Sequence, residues 1–104
     1  MFQKKSLGQN FLSNPKILDK IIAAAKIIPG EAVLEVGPGE GSLTKKLLDA
    51  GASVIAVEKD DRLIPILQKK FSSETASKKL HLIHGDILDF DVCSMLQVPC
   101  SMNI

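Results

Sequence analysis

The stretch AVLEVGPGEGSLTKKLLDAGASVIAVE, residues 32–58, decides how this chain folds. AVLEV (32–36) is an apolar run of the length of a buried strand, and GPGEG (37–41) follows it at once. Glycines at such a turn let the backbone reverse tightly and leave no Cβ between the loop and a ligand. From Ser42 to Ala50 the pattern becomes helical, with Leu43, Leu47 and Leu48 inward, Lys45 and Lys46 outward, and Gly51 closing it. SVIAVE (53–58) is a second strand rich in β-branched residues. It ends on Glu58, which stands 19 residues after Gly39. That is close to the roughly 20-residue offset at which an acidic side chain meets the two hydroxyls of a ribose.

Working outward, Asn14-Pro15 opens an earlier helix, with asparagine as cap and proline at its first position. Ile17, Leu18, Ile21, Ile22 and Ala25 form its apolar stripe, and Pro29-Gly30 ends it. Downstream, Asp60 or Asp61 caps a helix carrying Leu63, Ile64, Leu67 and Phe71. Pro65 is tolerable there only near the first turn. SSETASKK (72–79) reads as a polar loop, LHLIHGD (80–86) as a third strand, and a short strand is expected over 98–104. Strands alternating with helices predict an α/β fold, a parallel sheet with helices on both faces. Ligands of such sheets sit at the carboxyl ends of the strands, where Gly37, Glu58 and Asp86 fall.

At 104 residues the chain suits one domain with a single core. Its 45% hydrophobic and 24% charged composition is that of a globular protein. No apolar run nears the roughly 20 residues of a membrane-spanning helix, and none follows Lys4 and Lys5 as a secretory signal would. Two cysteines, Cys93 and Cys100, suit reduced thiols in the cytoplasm. The net charge of +1 is unevenly spread. Residues 1–30 carry Lys4, Lys5, Lys16, Lys20 and Lys26 against Asp19 alone, while the stretch from Leu80 onward carries Asp86, Asp89 and Asp91 and no lysine or arginine. The basic end could face nucleic-acid phosphates, but charge alone favours a solvated helix face with scattered lysines. His81 and His84 point to opposite sides of their strand, and the three aspartates read as a capped turn, so no metal is expected. The dinucleotide fingerprint G-x-G-x-x-G needs a glycine at position 42, where Ser42 stands. Strand, loop, helix and Glu58 together therefore predict the binding of a nucleoside, without saying which.

EVGPGEGSLT (35–44), VEKD (57–60) and GDIL (85–88) resemble the successive cofactor motifs of S-adenosylmethionine-dependent methyltransferases. KKSLGQNFL (4–12) narrows the resemblance to the enzymes that dimethylate adenine N6 in small-subunit ribosomal RNA. A generic methyltransferase has no reason to carry GQNFL before its first strand. The likeness runs from Lys4 to Asn103 and implies a Rossmann-like fold, truncated after about the fourth strand. Residues 1–104 would be the N-terminal part of the methyltransferase domain, with S-adenosyl-L-methionine as cofactor and small-subunit rRNA or a pre-ribosomal subunit as partner.

Carried over residue by residue, the resemblance puts Gly37 and Gly39 beneath the cofactor and Glu58, with Lys59 beside it in VEKD, at the ribose. Asp86 would accept the adenine amino group, and Ile87 would pack near the ring. Asn10 and Leu12 would close over the cofactor, and Glu35 would face its cationic methionine end. The family's catalytic motif reads Asn-Leu-Pro-Tyr. Here Asn103 and Ile104 stand at its first two positions and the sequence stops. The resemblance thus implies a cofactor-binding half that is inactive alone. The alternative is a catalytically dead fragment that binds cofactor or RNA. Its last strand, 98–104, would form an open sheet edge through which copies could pair.

Overall fold

A computed structural model describes residues 14–96. Helix α1 (Pro15–Ala25) begins as its sequence dictates: the Asn14 side chain accepts the Lys16 and Ile17 backbone N–H groups, and proline occupies the first turn. It stops earlier than Pro29-Gly30 would require, because Lys26 turns left-handed at φ 51° and its N–H returns to the Ile22 carbonyl. Strand β1 (Ala32–Val36), helix α2 (Ser42–Asp49) and strand β2 (Ser53–Glu58) follow. Then come helices α3 (Leu63–Lys70) and α4 (Ser72–Ala76), strand β3 (Leu80–His84), a 3-10 turn (Ile87–Asp89) and helix α5 (Val92–Leu96).

The three strands are parallel in the order β1-β2-β3. Val33 pairs with Val54, Glu35 with Ala56, and Glu58 with His84. Because side chains alternate along a strand, this register puts Val33, Glu35, Val54, Ala56, Leu80 and Leu82 on one face. That face carries the core. Leu47 of α2, Leu67 of α3 and Phe71 pack onto Val54, Ala56 and Leu80, with Ile22 of α1 and Leu63 of α3 beside them. The expectation of helices on both faces is met on this side. Val36, on the opposite face, is 57% exposed, and α5 is a short helix touching β1.

Several local readings change. The polar stretch 72–79 contains α4, because Phe71 is buried and fixes the chain as it leaves α3, while Thr75 Oγ1 donates to the carbonyls of Phe71 and Ser72. Pro65 is the third residue of α3, inside the first turn, where its missing N–H has no helical partner to lose. Neither aspartate caps that helix by its side chain. Asp60 instead accepts the Arg62 backbone N–H and pairs with its guanidinium, while its carbonyl takes the Leu63 N–H. Cys93 is disulfide-bonded rather than a reduced thiol, and the only other cysteine, Cys100, lies outside the described residues. So does the strand expected over 98–104. No described helix is long and apolar enough to cross a membrane.

Gly41 is the glycine whose missing side chain the core requires. A Cβ there would lie 2.5 Å from Cε2 of Phe71. Gly30 has nearly the same φ, +88° against +90°, and a Cβ on it would meet nothing within 4 Å among the described residues. Both alanine variants share the left-handed strain, so their difference isolates the clash. We expect Gly41→Ala to destabilise by about 1–3 kcal/mol more than Gly30→Ala, the usual range for overpacking, measured by urea unfolding. Equal losses would show that the Phe71 ring moves aside freely.

Candidate nucleoside-binding site at the strand ends

The parallel register brings three loops to one edge. Val36 pairs with Val57 and Glu58 with His84, so the chain leaves β1, β2 and β3 nearly level. The Gly37 N–H continues onto the Val57 carbonyl at 2.9 Å, and the Gly85 N–H onto the Glu58 carbonyl at 2.9 Å. Gly37 and Gly39 are left-handed at φ 70° and 62°. A Cβ on either would meet no described atom within 4 Å, so the outer side of the loop is open. The GPGEG glycines therefore divide: Gly41 faces the core, and Gly37 and Gly39 face outward.

Glu58 is 6% exposed and its two oxygens are used separately. Oε1 accepts the Gly39 N–H at 3.1 Å and Oε2 the Asp60 N–H at 2.9 Å. A carboxylate offers about four lone-pair sites, so acceptor capacity remains on both oxygens after these bonds. Asp86 ends the next strand. Its Oδ1 accepts the Leu88 N–H at 3.0 Å, capping the 3-10 turn, and Oδ2 lies 3.5 Å from the Lys59 ammonium. The Leu88 N–H foremost, and also the Lys59 charge, hold the Asp86 carboxyl below the usual aspartate range. Lys59 is largely exposed and ties the β2 loop to the β3 loop. Ile87 is half-buried beside them, and the ring of Phe90 rests where a Cβ of Gly85 would be.

Glu35 is the residue whose surroundings the sequence did not announce. As the fourth residue of β1 it points to the core face, beneath α2, and is 7% exposed. There it meets Thr44, one turn before Leu47 and Leu48 on the inward side of α2, whose hydroxyl donates to Glu35 Oε1 at 2.5 Å. Only the spacing E-x₈-T, from a strand end to the first turn of the next helix, could have suggested the pair. Burial lifts the Glu35 carboxyl from the usual 4.5 to about 7, the Thr44 hydrogen bond opposes the rise, and the nearby Glu58 charge adds to it. Glu35, Gly37, Gly39, Glu58, Lys59, Asp86 and Ile87 thus lie on the strands or loops of one sheet edge. Asn10, Leu12 and Asn103 lie outside the described residues. Among the described residues no group of three His, Cys, Asp or Glu side chains could hold a metal ion.

The raised Glu35 value makes folding pH-dependent. The folded protein holds this proton more tightly than the unfolded chain, so the stability it contributes is full below about pH 4.5 and is lost as the pH rises through about 7. The shift corresponds to about 3 kcal/mol. Wild-type stability from urea unfolding should fall by about that much between pH 4.5 and 8 relative to Glu35→Gln, which does not titrate. Parallel profiles for the two proteins would remove Glu35 as the cause.

A family model for ribosomal RNA adenine dimethylases matches residues 2–103. A ribosomal RNA small subunit methyltransferase of Arabidopsis thaliana is 47% identical over 86% of this chain and 27% of its own length. Ribosomal RNA small subunit methyltransferase A of Pseudomonas syringae is 42% identical over 97% of this chain and 37% of its own. The chain therefore spans about a quarter to two fifths of such relatives. Among solved structures, a dimethyladenosine transferase from Plasmodium falciparum is 42% identical with a TM-score of 0.67, covering 78% of this chain and 29% of that one. A glycopeptide N-methyltransferase complexed with S-adenosyl-L-methionine shares the fold at a TM-score of 0.61 and 24% identity, covering 79% of this chain and 35% of that one. The α/β fold with its parallel sheet is thus that of a Rossmann-like methyltransferase, and the chain belongs to the ribosomal RNA adenine dimethylase family.

Proposed function

We propose that this chain is the cofactor-binding half of a cytoplasmic enzyme that dimethylates adenine N6 in small-subunit ribosomal RNA, with S-adenosyl-L-methionine as methyl donor. The observation that carries the reading is the Glu58 carboxylate, buried at the end of β2 with one backbone N–H on each oxygen. Two adjacent ribose hydroxyls are donors, and Glu58 retains an acceptor position for each. Asp86 and the half-buried Ile87 stand at the neighbouring strand end, where an adenine amino group and ring would be met. Lys59 steadies Asp86 from the loop between them. Among the described residues nothing lies within 4 Å of where a Cβ on Gly37 or Gly39 would be, which suits a cofactor lying against that loop. Glu35, Glu58 and Asp86 give the edge an excess of acceptors, which suits a ligand bearing positive charge. This set of acceptors therefore fits the cofactor.

When bound, the cofactor supplies a methyl group on a positively charged sulfur, already activated for transfer. The protein's part is then largely placement of the amino nitrogen in line with that carbon. Asn103 would hold the target amino group, and Asn10 and Leu12 would cover the cofactor. Small-subunit rRNA, free or in a pre-ribosomal particle, is the substrate that the family and the names of its members support. No metal is required, because the sulfonium is itself the electrophile.

Calorimetry with S-adenosyl-L-methionine tests the site. Glu58→Ala removes two charge-assisted hydrogen bonds, each worth about 1.5–3 kcal/mol, so binding should weaken at least about tenfold. Glu58→Gln, which keeps the shape but gives up one acceptor oxygen for a donor, should also bind more weakly. Unchanged affinity in both variants would end the assignment of the ribose site. Transfer to rRNA is read separately, as N6,N6-dimethyladenine in small-subunit RNA treated with the protein and cofactor.

A further inference from the structure

We propose that Thr44 is a positioning residue of the cofactor site, its hydroxyl fixing the Glu35 carboxyl by one oxygen so that the other meets the cationic methionine end of the ligand. The proposal rests on the cofactor reading above and extends it to a side chain that touches no ligand.

The geometry is specific about which oxygen does what. Thr44 is 1% exposed, and its hydroxyl is within 2.5 Å of Glu35 Oε1. Among the described residues no fully buried side-chain oxygen lacks a hydrogen bond, and Glu35 Oε2 makes none. Oε2 is therefore the oxygen left without a hydrogen-bond partner among the described residues. A helical threonine ordinarily returns its hydroxyl to the carbonyl four residues back. Here that carbonyl belongs to Glu40 and accepts the Lys70 ammonium at 2.9 Å, while the Thr44 hydroxyl is spent on Glu35.

The charges around Glu35 leave this arrangement to Thr44. On β2, Glu58 is the charged group acting on it, and its effect opposes ionisation. On α2, Lys45 and Lys46 turn outward to Asp49 and Asp19. Helix α5, which touches β1, carries no Asp, Glu, Lys, Arg or His. No described cation therefore faces Glu35, and a hydroxyl donor is what favours its ionised form. An arriving ammonium would complete the ionisation, and the proton would leave to water.

The test is calorimetry of S-adenosylhomocysteine, which carries the same amino-acid end, on the full chain between pH 5.5 and 8.5. Wild-type affinity should fall by up to about tenfold per pH unit below about 7, as Glu35 takes up its proton. Thr44→Val keeps the shape and loses the donor, so its midpoint should move up by about one pH unit. It would then bind about fivefold more weakly at pH 7 and within about twofold of wild type at pH 8.5. Thr44→Ser should restore the wild-type curve. Weakening by the same factor at every pH would show a packing role only and overturn the proposal, as would a serine variant that follows the valine curve. Should Thr44→Val not fold, Glu35→Gln decides: it should bind weakly with no pH dependence in this window, and a wild-type profile would overturn the proposal. Wild type that binds no S-adenosylhomocysteine at any pH would instead fail the cofactor reading, and the proposal with it.

Discussion

The Glu58 carboxylate holds the functional edge of this domain together. One oxygen takes the N–H of Gly39 in the loop after β1, and the other takes that of Asp60 in the loop after β2. Both loops are thereby fixed to a side chain that is itself fixed by parallel pairing with His84. A buried carboxylate without donors would be costly, so the position keeps its acid only because two backbone groups converge on it. Those same donors leave lone pairs over. The same group that ties the two loops together thus keeps acceptor capacity at the ends of rigid strands, which is where the proposed cofactor would be met.

The glycines around that carboxylate serve separate needs, although their sequence spacing gives no hint of it. Gly41 is left-handed and pressed against Phe71 and Leu67, so it lets α2 start close to α3. Gly37 and Gly39 are also left-handed, but a Cβ on either would meet nothing within 4 Å among the described residues. Gly85 is different again, since the Phe90 ring covers it and anchors the turn in which Asp86 caps Leu88. A single glycine-rich motif thus supplies a tight turn, a close helix contact and, among the described residues, a face without side-chain contact, the division of roles that the proposed nucleoside site would need.

The regular elements were legible because their signals are local. The strands at Ala32–Val36 and Ser53–Glu58 and the Asn14-Pro15 helix start follow from apolar runs and capping chemistry that need no distant partner. Helix α4 was not legible: SSETA has no apolar stripe, and its first turn is set by the burial of Phe71 one residue earlier. Glu58 and Asp86 were readable from strand-end position. The Thr44–Glu35 pair was not, because a threonine inside an amphipathic helix reads as a neutral filler until the register of β1 beneath it is known.

Why carboxylates and not amides line this edge follows from the same geometry. An amide at position 58 would present one donor and one acceptor, and its donor would face a backbone N–H of either Gly39 or Asp60. Only a group that accepts at both ends satisfies the two loops at once. At position 35 the surroundings are the opposite. One oxygen has a donor in Thr44, burial raises the carboxyl to about 7, and Glu58 nearby makes a second negative charge unwelcome. The two acids are therefore unequal: Glu58 is held by backbone donors on both oxygens, whereas Glu35 is poised to gain or lose its proton near neutrality. The cofactor proposed for this edge, with hydroxyls at one end and a positive charge at the other, would match that inequality, its ribose at the acceptor on β2 and its cationic end at the one on β1.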